Sequence, residues 1–341
     1  MISENISLRK FNTFGIDVNA RYFSTFTDEA TLVTALDEKR GVAGGKLMPT
    51  LILGGGSNIL LTKDFNGLVL KNEVQGINII HEDTTHVYLR AGAGVNWHSL
   101  VLHAISHNLA GMENLSLIPG NTGASPMQNI GAYGVEIKDI FQGLTAYHLA
   151  DKKLVSFSNN DCEFGYRESV FKRKLKDQFV ILDVTFRLNK NPEYNISYGA
   201  IEQELEAMGI ETLSIQAISQ AVINIRQSKL PNPTEIGNAG SFFKNPEITK
   251  LQFDQLREHH PGIVGYQLPH DKIKLAAGWL IEQAGWKGYR RGDAGCHARQ
   301  ALVLVNYGNA TGKDIYTLST EIIASVKGKF GVTLQREVNI I

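Results

Sequence analysis

Only two cysteines, Cys162 and Cys296, occur in 341 residues. That is too few for a disulfide framework, and their separation is no metal-ligand spacing. Both thiols read as inert groups in a reducing compartment, and no metal is expected. No uninterrupted apolar run approaches the roughly 18 residues of a membrane span. The stretch from Met1 to Lys10 lacks the apolar core of a signal peptide. Net charge is missing too: 34 basic residues balance 34 acidic ones. Nothing therefore suggests an electrostatic grip on nucleic acid or anionic lipid, and any phosphate must be held locally. Internal repeats, low-complexity tracts and long linkers are also lacking. A soluble cytoplasmic protein of two or three domains is the expectation.

Glycine, by contrast, is plentiful, with 33 residues gathered in clusters. Leu51-Ile52-Leu53 runs into Gly54-Gly55-Gly56-Ser57-Asn58. Strand followed by glycine turn lets consecutive N–H groups converge on an anion, although a plain β-turn has the same composition. Ile59 stands where the third glycine of G-x-G-x-x-G belongs, and no Gly-Lys-Ser/Thr follows. The segment is thus neither a dinucleotide fingerprint nor a Walker A loop. A second cluster spans Ile118 to Gly134: Pro119-Gly120-Asn121-Thr122-Gly123-Ala124, then Gln128-Asn129-Ile130-Gly131-Ala132-Tyr133-Gly134. Small side chains and backbone donors suit a loop that lets a bulky cofactor approach the main chain.

Periodicity sketches the rest. Residues 28–36 read as a short helix. Residues 76–80 and 86–91 read as strands, the second alternating Val87, Leu89, Ala91 with His86, Tyr88, Arg90. A helix follows over 97–108 with one apolar face. Its His103 and His107 have i,i+4 spacing, but no third ligand stands nearby, so a solvated face is the reading. Residues 144–149 and 153–157 form a hairpin, 179–188 a strand, 194–199 a short extended piece, 215–228 a helix. Further helices are expected near 250–258, 275–284 and 313–330, with an apolar central strand at 301–305. The chain closes with a strand over 332–340 that turns Val332, Leu334, Val338 and Ile340 one way. Its Glu337 is an acid on the polar face, as an edge-strand charge would be. Helices and strands alternate without a βαβ rhythm, which makes the class α+β.

The stretch Gly237-Asn238-Ala239-Gly240-Ser241-Phe242-Phe243-Lys244-Asn245-Pro246 sets one hydroxyl between small residues and two aromatics. Ala239 and Gly240 leave room for a large flat partner, and Phe242 and Phe243 favour an anchored strand. Ser241 is either a proton donor to a substrate reduced by a flavin or part of a tight turn before a buried strand.

These pieces, in this order, closely resemble the UDP-N-acetylenolpyruvoylglucosamine reductase family of bacterial flavoenzymes, nearly end to end. The resemblance rests on Asn12-Thr13-Phe14, the two glycine clusters, Gly165-Tyr166-Arg167, Lys229-Leu230-Pro231 and Gly237 to Pro246. It continues through Ala276 with Gly278-Trp279-Leu280-Ile281, His297 with Gln300-Ala301-Leu302, and the Glu337 segment. It implies an FAD-binding fold of the vanillyl-alcohol-oxidase/PCMH type, two α+β subdomains, plus a C-terminal α+β substrate-binding domain. Residues 1–71 with 331–341 would be the first subdomain. Residues 72–228 would be the second, with a tyrosine-bearing insertion near 194–208, and residues 229–330 the substrate domain.

The same resemblance implies the chemistry. NADPH reduces non-covalent FAD and leaves; hydride then passes to the enolpyruvyl group of a UDP-sugar. Charge spreading onto the carboxylate calls for a cation there and a proton donor at the neighbouring carbon. Arg167 is the implied cation, assisted by Glu337, and Ser241 the donor. Tyr198, Lys229, Asn245 and Gln300 are implied for the diphosphate. FAD phosphates are expected on the backbones of Gly54, Gly55, Gly56, Ser57 and Asn58 and of Pro119, Gly120, Asn121, Thr122, Gly123 and Ala124, with Gln128 beside them. A monomer is expected. The alternative is another flavin oxidoreductase of this fold, such as a carbohydrate oxidase.

Overall fold

The computed structural model describes residues 1–42, 48–198 and 200–341. It divides into two compact units. The first takes Met1–Ile6, Ala20–Gly55 and Asn66–Ser228; the second takes Ser7–Asn19, Gly56–Phe65 and Lys229–Ile341.

The first unit is built on two sheets. A four-stranded sheet has the order Ser3–Ser7, Asn19–Phe26, Phe65–Asn72, Thr50–Leu53. Its last two strands run parallel, with Thr50 opposite Leu68. A five-stranded antiparallel sheet has the order Lys153–Ser158, Phe141–His148, Phe179–Asn189, His86–Gly92, Ile77–Glu82. The period-2 stretches of the sequence are these strands. Along Phe179–Asn189, Val184, Phe186 and Leu188 enter one core with Leu89 and the helix Trp97–Ser106. Val180 and Leu182 enter another with Leu32 and Ala35 of the helix Glu29–Val42. Burial on both faces explains why this strand is the most apolar of its sheet. The helix Trp97–Ser106 starts where the Asn96 side chain accepts the Ser99 N–H, an N-cap. Trp97 is buried edge-on to Phe186 and donates its indole N–H to the Leu115 carbonyl. Two further helices, Ile201–Ala207 and Ile215–Lys229, pack on each other through Ile201, Leu205, Ile218 and Val222.

The second unit holds a four-stranded sheet in the order Gly237–Ser241, Val303–Asn306, Ala294–Cys296, Arg290–Arg291. It also holds a three-stranded sheet, Glu247–Thr249, Lys272–Leu275, Gly265–Leu268. The expected central strand is Val303–Asn306, fully buried between two neighbours. The helix Gly312–Phe330 opens with a Thr311/Asp314 capping box and ends at Gly331, φ 69°. It buries the expected stripe Ile315, Leu318, Ile322, Val326, Phe330.

Two elements depart from expectation. No strand forms over residues 194–198, and Gly199 lies outside the described residues. The closing strand shrinks to Asn339–Ile340, parallel to Ile59–Leu60. Its partner has only two residues, and Arg336 makes only an isolated bridge to Phe243, so no longer ladder can form. Val332, Leu334 and Val338 alternate inward as expected, whereas Ile340 is exposed.

Candidate active site

In the first unit the strand Thr50–Leu53 ends at Gly54 and Gly55, against the loop of the second glycine cluster. A Cβ on Gly55 would come 2.8 Å from the Gly120 Cα, so only glycine permits this approach. Every buried backbone donor needs an acceptor, and the loop's donors divide cleanly. Thr122 N–H donates to Val95 O, Gly123 N–H to Ala93 O and Ala124 N–H to Asn121 O. Among the described residues no carbonyl accepts the N–H of Gly54, Gly55, Gly120 or Asn121. Donors without acceptors on two touching glycine loops fit an anionic cofactor. Thr122 is fully buried, its hydroxyl on Val95 O, and Asn121 Nδ2 donates to Gly94 O; these side chains shape the loop. Gln128 Oε1 accepts from Lys172 Nζ at 3.4 Å.

Gly56, Ser57 and Asn58 belong to the second unit. Gly56 has φ 64°, and a Cβ there would overlap the Phe11 carbonyl. Its own carbonyl accepts the Thr13 N–H, while Thr13 O accepts the Asn238 N–H. The Asn12-Thr13-Phe14 motif is thus scaffolding between a glycine loop and the strand Gly237–Ser241. Asn58 Nδ2 donates to Glu337 O at 3.5 Å, and Asn58 O accepts the Asn339 N–H.

Arg167 sits in the first unit with a left-handed backbone, φ 53°, in the turn closed by Gly165 and Glu168. A side chain in that region costs about 1–2 kcal/mol, and such strain gathers at functional sites. Nη2 donates to Gly131 O at 2.6 Å and Nη1 to Asn129 O at 3.4 Å. Both carbonyls flank or belong to the hairpin Gly131–Ala132/Val135–Glu136. Asn129 itself is fully buried and ties the Gly165 carbonyl to the Glu136 carboxylate through its amide, 3.1 Å each. On the same hairpin the Tyr133 ring meets the Tyr198 ring edge-on, 6.3 Å between centroids. Tyr198 is half-exposed.

Ser241, Glu337, Lys229, Asn245 and Gln300 belong to the second unit. Gly240, at φ 68°, makes a bulge in the strand Gly237–Ser241, and Ser241 emerges exposed opposite Val303. Phe242 and Phe243 behind it are fully buried. The C-terminal segment runs alongside: Lys244 N–H donates to Gln335 O, and Glu337 N–H to Phe242 O at 2.8 Å. Glu337 is half-buried and stands beside the residue that follows Ser241. Asn245 Oδ1 accepts the Ala277 N–H at 3.0 Å, and Gln300 Oε1 accepts the Leu302 N–H at 3.3 Å. A Cβ on Gly278 would lie 3.1 Å from Gln300 Oε1, so both amides flank the start of the helix Ala277–Gln283. With their oxygens occupied, each turns its NH₂ donors elsewhere. Lys229 is exposed at the end of the helix Ile215–Lys229.

Sequence reasoning missed Asn129 and Tyr133 as supports. Both have left-handed backbones, φ 46° and 49°, which asparagine tolerates and tyrosine rarely does. The signal available was an asparagine inside a glycine-rich run. Both thiols are held protonated: burial, then Asp161, pushes Cys162 up to about 12, and burial pushes Cys296 up to about 12. Among the described residues no helix is long and apolar enough to cross a membrane.

Comparison with known proteins gives consistent matches. The model of the UDP-N-acetylenolpyruvoylglucosamine reductase C-terminal domain matches residues 232–341, and that of an FAD binding domain matches 28–158. The UDP-N-acetylenolpyruvoylglucosamine reductase of Amoebophilus asiaticus is 51% identical over 340 residues, 100% of this chain and 99% of the relative. That of Pseudomonas putida is 48% identical, covering 99% and 98%. Among solved structures, the corresponding enzyme of Thermus caldophilus superposes with a TM-score of 0.69 at 23% identity, covering 100% and 99%. The fold is therefore the α+β FAD-binding type with a C-terminal domain.

Proposed function

The chain belongs to the UDP-N-acetylenolpyruvoylglucosamine reductase family, and on that premise we propose that it reduces UDP-N-acetylglucosamine enolpyruvate to UDP-N-acetylmuramate. The reductant is NADPH, the cofactor FAD, and the product a peptidoglycan precursor. The observation that carries the reading is the pairing that sets Glu337 beside the Ser241–Phe243 segment, in a chain related end to end to these reductases.

FAD, when bound, supplies hydride transfer from NADPH to the enolpyruvyl group. The backbones of Gly54–Asn58 and Pro119–Ala124 would hold it, with the N–H groups of Gly54, Gly55, Gly120 and Asn121 as donors. Gln128 lies beside that loop. Buried, protonated thiols support non-covalent attachment. Arg167 binds the enolpyruvyl carboxylate and stabilises the charge that spreads there. Glu337 helps to polarise the group. Ser241 delivers a proton to the carbon next to the carboxylate. A serine hydroxyl is a poor acid in water, and it suffices because water is excluded and the acceptor carbon is strongly basic. Lys229 supplies a point charge to the diphosphate, and Tyr198, Asn245 and Gln300 supply neutral donors. These assignments require Arg167 and Tyr198 to meet the second unit's residues around one substrate. Residues 1–71 with 331–341 and 72–228 would form the two cofactor subdomains, and 229–330 the substrate domain. We further propose a cytoplasmic monomer; a solution mass of a dimer would overturn the second half.

An absorbance spectrum tests the whole. The purified protein should be yellow, bleach with NADPH under anaerobic conditions, and regain colour on adding the enolpyruvyl sugar. A protein that cannot take up FAD would overturn the reading. Rapid reoxidation by oxygen that ignores the sugar would favour an oxidase of the same fold.

A further inference from the structure

Arg226, on the helix Ile215–Lys229, has no part in the reading above. Its Nε is buried without a hydrogen-bond partner. Among the described residues no carboxylate lies within ion-pair reach of it. Its company is neutral: the guanidinium is hydrogen-bonded to the Tyr133 hydroxyl, and His98 lies close by. The His98 Nδ1 accepts the Leu117 N–H at 3.0 Å, which leaves its proton on the other nitrogen. Burial, then Arg226 itself, holds that imidazole below its ordinary range. Replacing such a cation by an apolar side chain of similar volume commonly costs nothing in stability.

What Arg226 does touch is informative. Tyr133 lies between the two strands of the Gly131–Glu136 hairpin. Its carbonyl and that of Asn195 share the Asn114 amide, at 2.9 and 2.8 Å. Its ring faces Tyr198. The next residue, Gly134, packs so closely that a Cβ would lie 3.3 Å from the Tyr198 Cβ. The other end of the hairpin carries Arg167 through the Gly131 carbonyl. One short hairpin thus carries both a cation for the carboxylate and a tyrosine for the diphosphate.

We infer that Arg226, acting through the Tyr133 hydroxyl, is a positioning residue that fixes this hairpin and thereby sets Arg167 and Tyr198 relative to each other. The inference rests on the proposed roles of Arg167 and Tyr198. A tyrosine at φ 49° needs an external hold, and the guanidinium provides it from the helix that ends at Lys229.

The test uses Arg226→Met and Tyr133→Phe in the FAD-loaded enzyme, with four readouts: bleaching by NADPH, reoxidation by the enolpyruvyl sugar, thermal midpoint, and UDP affinity by calorimetry. Reoxidation should slow by about 10- to 100-fold, the range expected of a misplacement near 1 Å. UDP binding should weaken, bleaching should stay at the wild-type rate, and the midpoint of Arg226→Met should not fall. A lower midpoint with both half-reactions slowed in step would make Arg226 a structural prop and overturn the inference; so would unchanged reoxidation. Should Arg226→Met fail to fold, Tyr133→Phe decides, since it removes one oxygen and keeps the ring. Arg167→Lys separates the two levels. If it reacts like the wild type, the role of Arg167 falls and this inference with it. If it is slow while both test variants are not, the inference alone falls.

Discussion

Arg167 and Ser241 are held by opposite means. Arg167 is gripped through its side chain, which two carbonyls fix from a strained turn. Ser241 is placed through its main chain, by the Gly240 bulge before it and two buried phenylalanines after it. A guanidinium binds a carboxylate well only in one plane, so its orientation has to be imposed. A hydroxyl that rotates freely needs only to be delivered to the right place. Each substitution below attacks one side of this contrast.

Ser241→Ala removes the proton donor and leaves the strand intact. NADPH should bleach the flavin at the wild-type rate, whereas reoxidation by the enolpyruvyl sugar should fall about 10²- to 10⁴-fold, as for loss of a general acid. Stopped-flow measurement of the two half-reactions decides it. If both slow equally, Ser241 is structural.

Arg167→Lys keeps the charge and removes the planar fork. If orientation is what the carbonyl grip provides, kcat/KM for the sugar should fall about 100-fold. Wild-type kinetics would mean that charge alone suffices and that the strained turn has no catalytic purpose. Asn129→Ala attacks the same side at one remove. It strips a fully buried amide from Gly165 O and Glu136, which should cost about 1–3 kcal/mol in denaturant unfolding. The activity loss should be smaller than that of Arg167→Lys, because the guanidinium keeps its bond to Gly131.

Much of this contrast could be read before any coordinates. Ser241 was legible because its neighbours are distinctive: small residues before it, aromatics after it. The strand Phe179–Asn189 and the helix Gly312–Phe330 were legible because burial imposes periods of two and 3.6 on the sequence. The supports of Arg167 were not. Asn129 and Tyr133 act through carbonyls, a left-handed backbone and one buried amide, none of which leaves a periodic trace. The glycine clusters were legible as clusters, but not in their division of labour. Which N–H groups the loop consumes, those of Thr122 to Ala124, depends on its pairing with Val95 and Ala93. The closing strand was read too long because alternation reports burial and not pairing: Val332 and Leu334 are buried without a ladder.

The smallest expected effect lies on the Ser241 side. Gly240 has φ 68°, yet a Cβ there meets no heavy atom within 4 Å. Gly240→Ala therefore pays only the left-handed backbone cost, about 1–2 kcal/mol, with no collision to move the strand. The bulge should persist, because the Gly240 N–H still reaches Asn238 Oδ1 and Phe242 N–H still reaches Leu302 O. The unfolding midpoint should drop by that amount while reoxidation stays within tenfold of the wild type. Gly56→Ala makes the control, since its Cβ would overlap the Phe11 carbonyl and force the loop apart. Should Gly240→Ala slow reoxidation as far as Ser241→Ala does, then the exact path of this strand matters as much as the hydroxyl it carries. Main-chain placement would in that case be as demanding as the grip on Arg167, and the contrast between the two would close.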